Sequence, residues 1–121
     1  MAKVLVVDDS PTETHKLSAM LSKNGHEVLT AASGEQAIQD ARTSLPDVIL
    51  MDIVMPGLNG FQATRELTKK GGPTSHIPVI IVSTKDQETD RMWAQKQGAK
   101  GYLTKPVDEK LLAQTIKNVL G

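Results

Sequence analysis

The sequence predicts an α/β domain: one doubly wound, five-stranded parallel sheet with five helices. Three observations predict it. Short apolar runs alternate five times with stretches of helical periodicity, the pattern of βα units. The runs Val4–Val7, Val48–Met51 and Val79–Val82 are apolar without interruption, as in strands buried on both faces. Residues able to do chemistry fall where those runs end, at the carboxyl edge of such a sheet, where ligands bind in open α/β folds.

The first strand, Val4–Val7, ends at Asp8-Asp9. Ser10-Pro11-Thr12-Glu13 then reads as a capping box with proline at the first helical position. Leu17, Met20 and Leu21 give that helix an apolar stripe, and Gly25 suits the position just beyond its end. The second strand centres on Val28–Leu29 within Glu27-Val28-Leu29-Thr30 and is short enough to be an edge. Ser33-Gly34-Glu35-Gln36 is a second capping box, opening a helix with Ala37, Ile38 and Ala41 inward. After Val48–Met51 come Asp52 and a loop with Pro56, Gly57 and Gly60. Phe61, Thr64 and Leu67 mark the third helix, and Gly71-Gly72-Pro73 breaks it.

The fourth strand, Val79–Val82, runs into Ser83-Thr84. The fourth helix spans about Gln87 to Gln97. Its only large apolar residues, Met92 and Trp93, are adjacent, so little of it can be buried and it should be loosely held. Tyr102–Leu103 is the fifth strand and leads to Lys105-Pro106. Asp108 caps a last helix whose Leu111, Leu112, Thr115, Ile116, Val119 and Leu120 form a double row of i, i+4 positions.

At 121 residues the chain makes one domain with a real core. A single domain over residues 1–121, with no output domain, is expected. Fourteen basic and fourteen acidic residues cancel, which argues against bulk attraction to nucleic acid or an anionic membrane. There is no cysteine, hence no disulfide framework or thiolate metal site. Three aromatics (Phe61, Trp93, Tyr102) require an aliphatic core. No apolar run approaches the roughly 18 residues of a membrane span. A soluble, cytoplasmic, monomeric protein is expected. His15, His26 and His76 have no acidic or nucleophilic neighbour at ligand spacing and are read as surface residues.

Right-handed crossovers bring all the strand ends to one edge. Asp8, Asp9, Asp52, Ser83 and Lys105 therefore converge. Each has a simpler reading alone: a helix cap, a loop carboxylate, a turn hydroxyl, a solvated lysine. Together those readings would have to coincide at four strand ends. Two unit charges about 4 Å apart repel by about 4 kcal/mol at an effective dielectric of 20, so three carboxylates there call for a cation. All-oxygen ligands favour Mg²⁺ over zinc or copper. Such a cation beside a lysine and a hydroxyl is equipment for holding phosphoryl oxygens.

These residues carry a resemblance over essentially the whole chain. Val-Val-Asp8-Asp9-Ser, Leu-Met-Asp52-Ile-Val-Met-Pro56-Gly57-Leu-Asn-Gly60, Val-Ser83-Thr84 and Tyr102-Leu-Thr-Lys105-Pro106 resemble the receiver domain of response regulators, the CheY-like family. Asp9-Ser-Pro-Thr-Glu13, Gly60-Phe-Gln-Ala-Thr-Arg65 and Thr84-Lys-Asp-Gln-Glu-Thr89 are similar to PilH-type regulators of type IV pilus chemosensory systems, which control twitching motility. The resemblance implies a flavodoxin-like fold with strand order 2-1-3-4-5. It implies that Asp52 takes a phosphoryl group from the phosphohistidine of a sensor histidine kinase. Mg²⁺ would be held by Asp9, Asp52 and the Val54 carbonyl, with Asp8 acting directly or through water. Lys105 and Ser83 would contact phosphoryl oxygens, Ser83 and Tyr102 would form the switch, and Lys105-Pro106 would be cis. Val54 and Lys85 would flank the path of an attacking water and tune phosphate lifetime. The output would be a downstream protein bound at the fourth helix, fifth strand and fifth helix.

Within the family the alternative is a phosphate sink draining a shared kinase. A Mg²⁺-dependent phosphatase with an aspartyl nucleophile would want an acid two residues after it, where this chain has Val54. A flavin-binding module would want a glycine-rich turn after the first strand, where this chain has Asp8-Asp9-Ser10-Pro11.

Overall fold

The computed structural model describes residues 1–121. Its elements are β1 (Lys3–Val7), α1 (Pro11–Lys23), β2 (Glu27–Ala31), α2 (Gly34–Ser44), β3 (Val48–Met51), α3 (Gly60–Leu67), β4 (Val79–Ser83), α4 (Glu88–Lys96), β5 (Gly101–Thr104) and α5 (Glu109–Leu120). The five strands are parallel, in the order β2-β1-β3-β4-β5. The expected fold class and strand order hold, with β2 on an edge.

Strand alternation divides the sheet into two cores. Leu5, Val7, Ile49, Met51, Val79 and Ile81 face α2, α3 and α4. Val4, Val6, Val48, Leu50, Ile80 and Val82 face α1 and α5. The first interface is lined on its helical side by Ala37, Ala41, Ala63 and Ala94, which let the helices approach closely. This is how a chain with three aromatics fills its core.

The helix ends depart from expectation in instructive ways. Ser10 caps α1 by accepting from the Glu13 amide at 3.4 Å, but the reciprocal half of the box is not made. The Ser10 amide donates to Asp8 Oδ1 instead, at 2.9 Å. At α2, Ser33 accepts from the Gln36 amide, while Gln36 Oε1 takes the Ala32 amide, one residue before the cap. The complete box is at α3, where Asn59 and Gln62 exchange bonds of 2.9 Å each way. Gly25 does close α1: at φ 82° it lets the His26 amide reach the Leu21 carbonyl and its own amide reach Ser22.

Two further readings are corrected. His26 is half-buried rather than a free surface residue, because its Nδ1 accepts from the Ala2 amide at 3.0 Å. In α5 only Leu112 and Ile116 are buried; Leu111 is turned away from the sheet, and Leu120, though it continues the row of Leu112 and Ile116, is exposed at the last position of the helix, while Val119 packs half-buried against the core.

The fourth helix buries Ala94 alone, and Met92 and Trp93 are each about half exposed, at 52% and 51%. Its C-terminal end has an anchor invisible in its own residues. Thr68 Oγ1, at the end of α3, lies 2.8 Å from the Thr64 carbonyl and 2.9 Å from the Gln97 carbonyl, its one hydrogen shared between them. Gly98 lies against the same hydroxyl, where any Cβ would overlap it. Thr68→Val should cost about 1 kcal/mol, the usual worth of such a bond. Amide exchange at Gln97–Ala99 should accelerate with it. Unchanged exchange there would show that the hydroxyl does not hold the helix.

Candidate functional site

The sheet register delivers the site. Val7 pairs with Met51, and the ladder runs one residue further: the Asp52 amide donates to the Val7 carbonyl at 2.9 Å and the Asp8 amide to Ala31 at 3.1 Å. Asp8 and Asp52 thus leave the ends of adjacent strands at the same level. On the far side the Lys105 amide donates to the Ser83 carbonyl at 2.8 Å, which extends the pairing of β4 with β5. The Lys105–Pro106 peptide bond is cis.

The carboxylates of Asp8, Asp9 and Asp52 converge, with one oxygen of each within 4.8 Å of the others. Asp8 and Asp52 are buried and Asp9 is exposed, so the cluster opens on one side. Lys105 Nζ sits 2.7 Å from Asp8 Oδ2 and 3.5 Å from Asp52 Oδ1. Asp52 Oδ1 also accepts from the Ile53 amide at 2.9 Å. The exposed Val54 side chain follows, in the loop between β3 and α3. That loop is gripped from α2, where Glu35 accepts from the Leu58 amide at 3.3 Å.

The electrostatics follow from burial and crowding. Loss of solvent, and then the nearby charge of Asp8, push the Asp52 carboxyl up to about 6; Lys105 and the Ile53 N–H oppose this without cancelling it. Burial alone would lower the Lys105 ammonium, but its hydrogen bond to Asp8 and the charges of Asp52, Asp8 and Glu13 outweigh that and raise it.

Ser83 is buried at the end of β4, and its hydroxyl accepts from the Lys85 amide at 3.1 Å. Its hydrogen bond therefore goes into the loop after β4 and not to the carboxylates. Tyr102 leans toward the same loop, its hydroxyl donating to the Lys85 carbonyl at 2.6 Å. Burial and then Asp90 raise the phenol above its usual range, against the opposing effects of the Ser83 hydroxyl and Arg91. The Arg91 guanidinium lies 4.8 Å from the centre of the Tyr102 ring and donates to Thr104 Oγ1 at 3.1 Å.

Two residues at this edge escaped the sequence reading. Glu13, assigned there to a cap, is turned toward the pocket, with Oε1 3.8 Å from Lys105 Nζ. The signal was available: a helix starting two residues after Asp9 keeps its first turn beside the carboxylates. Arg91 carried no such signal, because the Tyr102 ring it covers comes from another element.

The donor set suits a hard divalent cation. It is all oxygen, anionic, partly open, and has a fixed ammonium on one side only. Beside such a cation the Asp52 carboxylate would be held in its ionised form, the form that can act as a nucleophile.

The comparisons agree with this geometry. The profile of the response regulator receiver domain matches residues 4–117. The chain is 65% identical to Protein PilH of Pseudomonas aeruginosa over 120 residues, covering 99% of this chain and 98% of that one. Among solved structures, the chemotaxis protein CheY4 of Vibrio cholerae superposes with a TM-score of 0.90 at 33% identity, covering 98% of each chain. The receiver domain of a sensor histidine kinase from Pseudomonas aeruginosa, solved with a magnesium ion coordinated in its active-site cleft, gives a TM-score of 0.89 at 31% identity, covering 99% of this chain and 98% of that one. With the family profile spanning nearly the whole sheet and its site, and a near full-length relative at that identity, the chain belongs to the response regulator receiver domain family.

Proposed function

We propose that this chain is a stand-alone response regulator that accepts a phosphoryl group on Asp52 from the phosphohistidine of a sensor kinase. The observation that carries the reading is the buried Asp52 carboxylate, clustered with Asp8 and Asp9 and 3.5 Å from the Lys105 ammonium. One Asp52 oxygen attacks phosphorus, the phosphorus–nitrogen bond breaks, and its electron pair returns to the imidazole. The product is an acyl phosphate on Asp52, which water later hydrolyses. Asp9, Asp52 and the Val54 carbonyl, with Asp8 directly or through water, would hold Mg²⁺. Bound there, it supplies the positive charge that lets an anionic phosphoryl group approach three carboxylates. Lys105 pairs with one phosphoryl oxygen, and Ser83 releases the Lys85 amide to reach another. The Ser83–Lys85–Tyr102 contacts then change together, and α4, β5 and α5 present the altered surface to a downstream protein.

The close similarity to PilH, over nearly the whole of both chains, supports the stand-alone reading and a place in a type IV pilus chemosensory pathway. Incubation with Mg²⁺ and acetyl phosphate should add one phosphoryl group by intact-mass spectrometry. The Asp52→Asn variant should take none, and labelling of that variant at the wild-type rate would rule out the site.

A further inference from the structure

Glu13 is a charged side chain at this edge with no assigned task. Its carboxylate is free of capping duty because the Ser10 amide is already bonded to Asp8. It stands outside the three carboxylates that converge for a cation, and both its partners are lysines. Oε1 is 3.8 Å from Lys105 Nζ, and Oε2 is 3.6 Å from Lys16 Nζ. Exposure rises along this row, from 10% for the Lys105 side chain through 26% for Glu13 to 62% for Lys16. Alternating charges thus run from the pocket to the open face of α1.

We propose that Glu13 is a positioning residue for Lys105. It holds the ammonium back from an incoming phosphoryl group, and Lys16 relieves that hold from the solvent side. The proposal rests on Asp52 being the phosphoryl acceptor. Lys105 faces three carboxylates, and a phosphoryl group on Asp52 adds about −1.5 to −2 charge on new oxygens. To serve them the ammonium must loosen its contact with Asp8 or with Glu13. A negative Glu13 makes that move costlier, so removing its charge frees the lysine. Lys16 neutralises part of the Glu13 charge, so removing Lys16 tightens the hold. The first turn of α1 therefore sets how readily the site is phosphorylated, and a partner that pairs with Lys16 would slow it.

The test measures phosphorylation of the full chain by acetyl phosphate at saturating Mg²⁺. Glu13→Gln should raise kcat/KM about fivefold, the scale of a partly buried ion pair. Lys16→Met should lower it about twofold, and that effect should vanish when Gln stands at 13. Glu13→Asp, which keeps the charge, should lie nearer the wild type. Added KCl should shrink the Glu13→Gln gain, as for any screened interaction. In a Lys105→Met background the gain should disappear; its survival there at full size would assign it to direct repulsion of the phosphoryl group and overturn positioning through the lysine. Equal rates for wild type and Glu13→Gln, with the phosphoryl group located on Asp52 in both, would overturn the Glu13 proposal alone. A wild-type chain that accepts no phosphoryl group would instead overturn the reading of Asp52 on which it rests.

Discussion

Asp52→Asn raises stability by on the order of 3 kcal/mol at pH 7.5 without magnesium, and changes it little near pH 4. The carboxyl is pushed from 3.8 to about 6 in the folded protein, mainly by burial and by Asp8. That gap corresponds to about 3 kcal/mol. The sign follows from linkage: the folded state binds the proton more tightly than the unfolded chain. The stability contributed by this group is therefore complete below pH 3.8 and is lost as pH rises through 6. An amide at position 52 carries no such loss, and Lys105 keeps Asp8 as its partner at 2.7 Å. Urea denaturation across pH 4 to 7.5 checks the prediction: the wild-type and variant curves should diverge from pH 3.8 to about 6 and run parallel beyond it. Curves parallel throughout would mean that Asp52 is not strained by ionisation. Magnesium should narrow the gap at pH 7.5, because a ligand that binds only the folded wild type stabilises it by mass action. The same group that costs stability is the proposed nucleophile, so function and folding oppose each other at one residue.

Gly60→Ala should lower the melting temperature by about 10 °C, corresponding to roughly 3 kcal/mol. Gly60 opens α3, and its amide donates to the Ile53 carbonyl at 2.9 Å. A Cβ there would overlap the Asp52 carbonyl oxygen and come within 2.8 Å of Ile53 Cα. Both obstacles are backbone, so no side-chain rotation relieves them. The helix would have to back away or the strand end carrying Asp52 would have to shift. Phosphorylation by acetyl phosphate should therefore slow together with the loss of stability. A variant melting within about 2 °C of wild type would show that the loop between β3 and α3 yields cheaply. Gly25→Ala offers a contrast: at φ 82° its cost is conformational, with nothing within 4 Å of the added atom, and should be about 1 kcal/mol.

The fold class, the alternation of elements and the strand-end placement of Asp8, Asp9, Asp52, Ser83 and Lys105 are legible in the residue pattern alone. The reason is that period-2 and period-3.6 patterns are local, and an apolar run of four residues followed by a carboxylate has few places to go in a parallel sheet. The pattern also marks β2 correctly as an edge, because a short, half-polar strand cannot be buried on both faces. Its errors lie where two elements compete for one side chain. Glu13 could cap its own helix, but the Ser10 amide was taken by Asp8 and the Lys105 ammonium, just beyond β5, lay within reach. His26 looked free until the chain start brought the Ala2 amide to it. Leu111 fitted an apolar row but points away from the sheet, and Leu120 shares the row of Leu112 and Ile116 but sits at the exposed end of α5.

The energetics of the site arise from contacts between elements. How far the Asp52 carboxyl is pushed up depends on how deeply it is buried and how close Asp8 lies, and neither is encoded in spacing along the chain. The anchoring of α4 by Thr68 and Gly98, and the cover that Arg91 gives Tyr102, likewise join residues from separate elements. Periodicity settles which elements form and which edge carries the chemistry. Contacts between elements settle which charges meet there, and so how tightly each proton and each lysine is held.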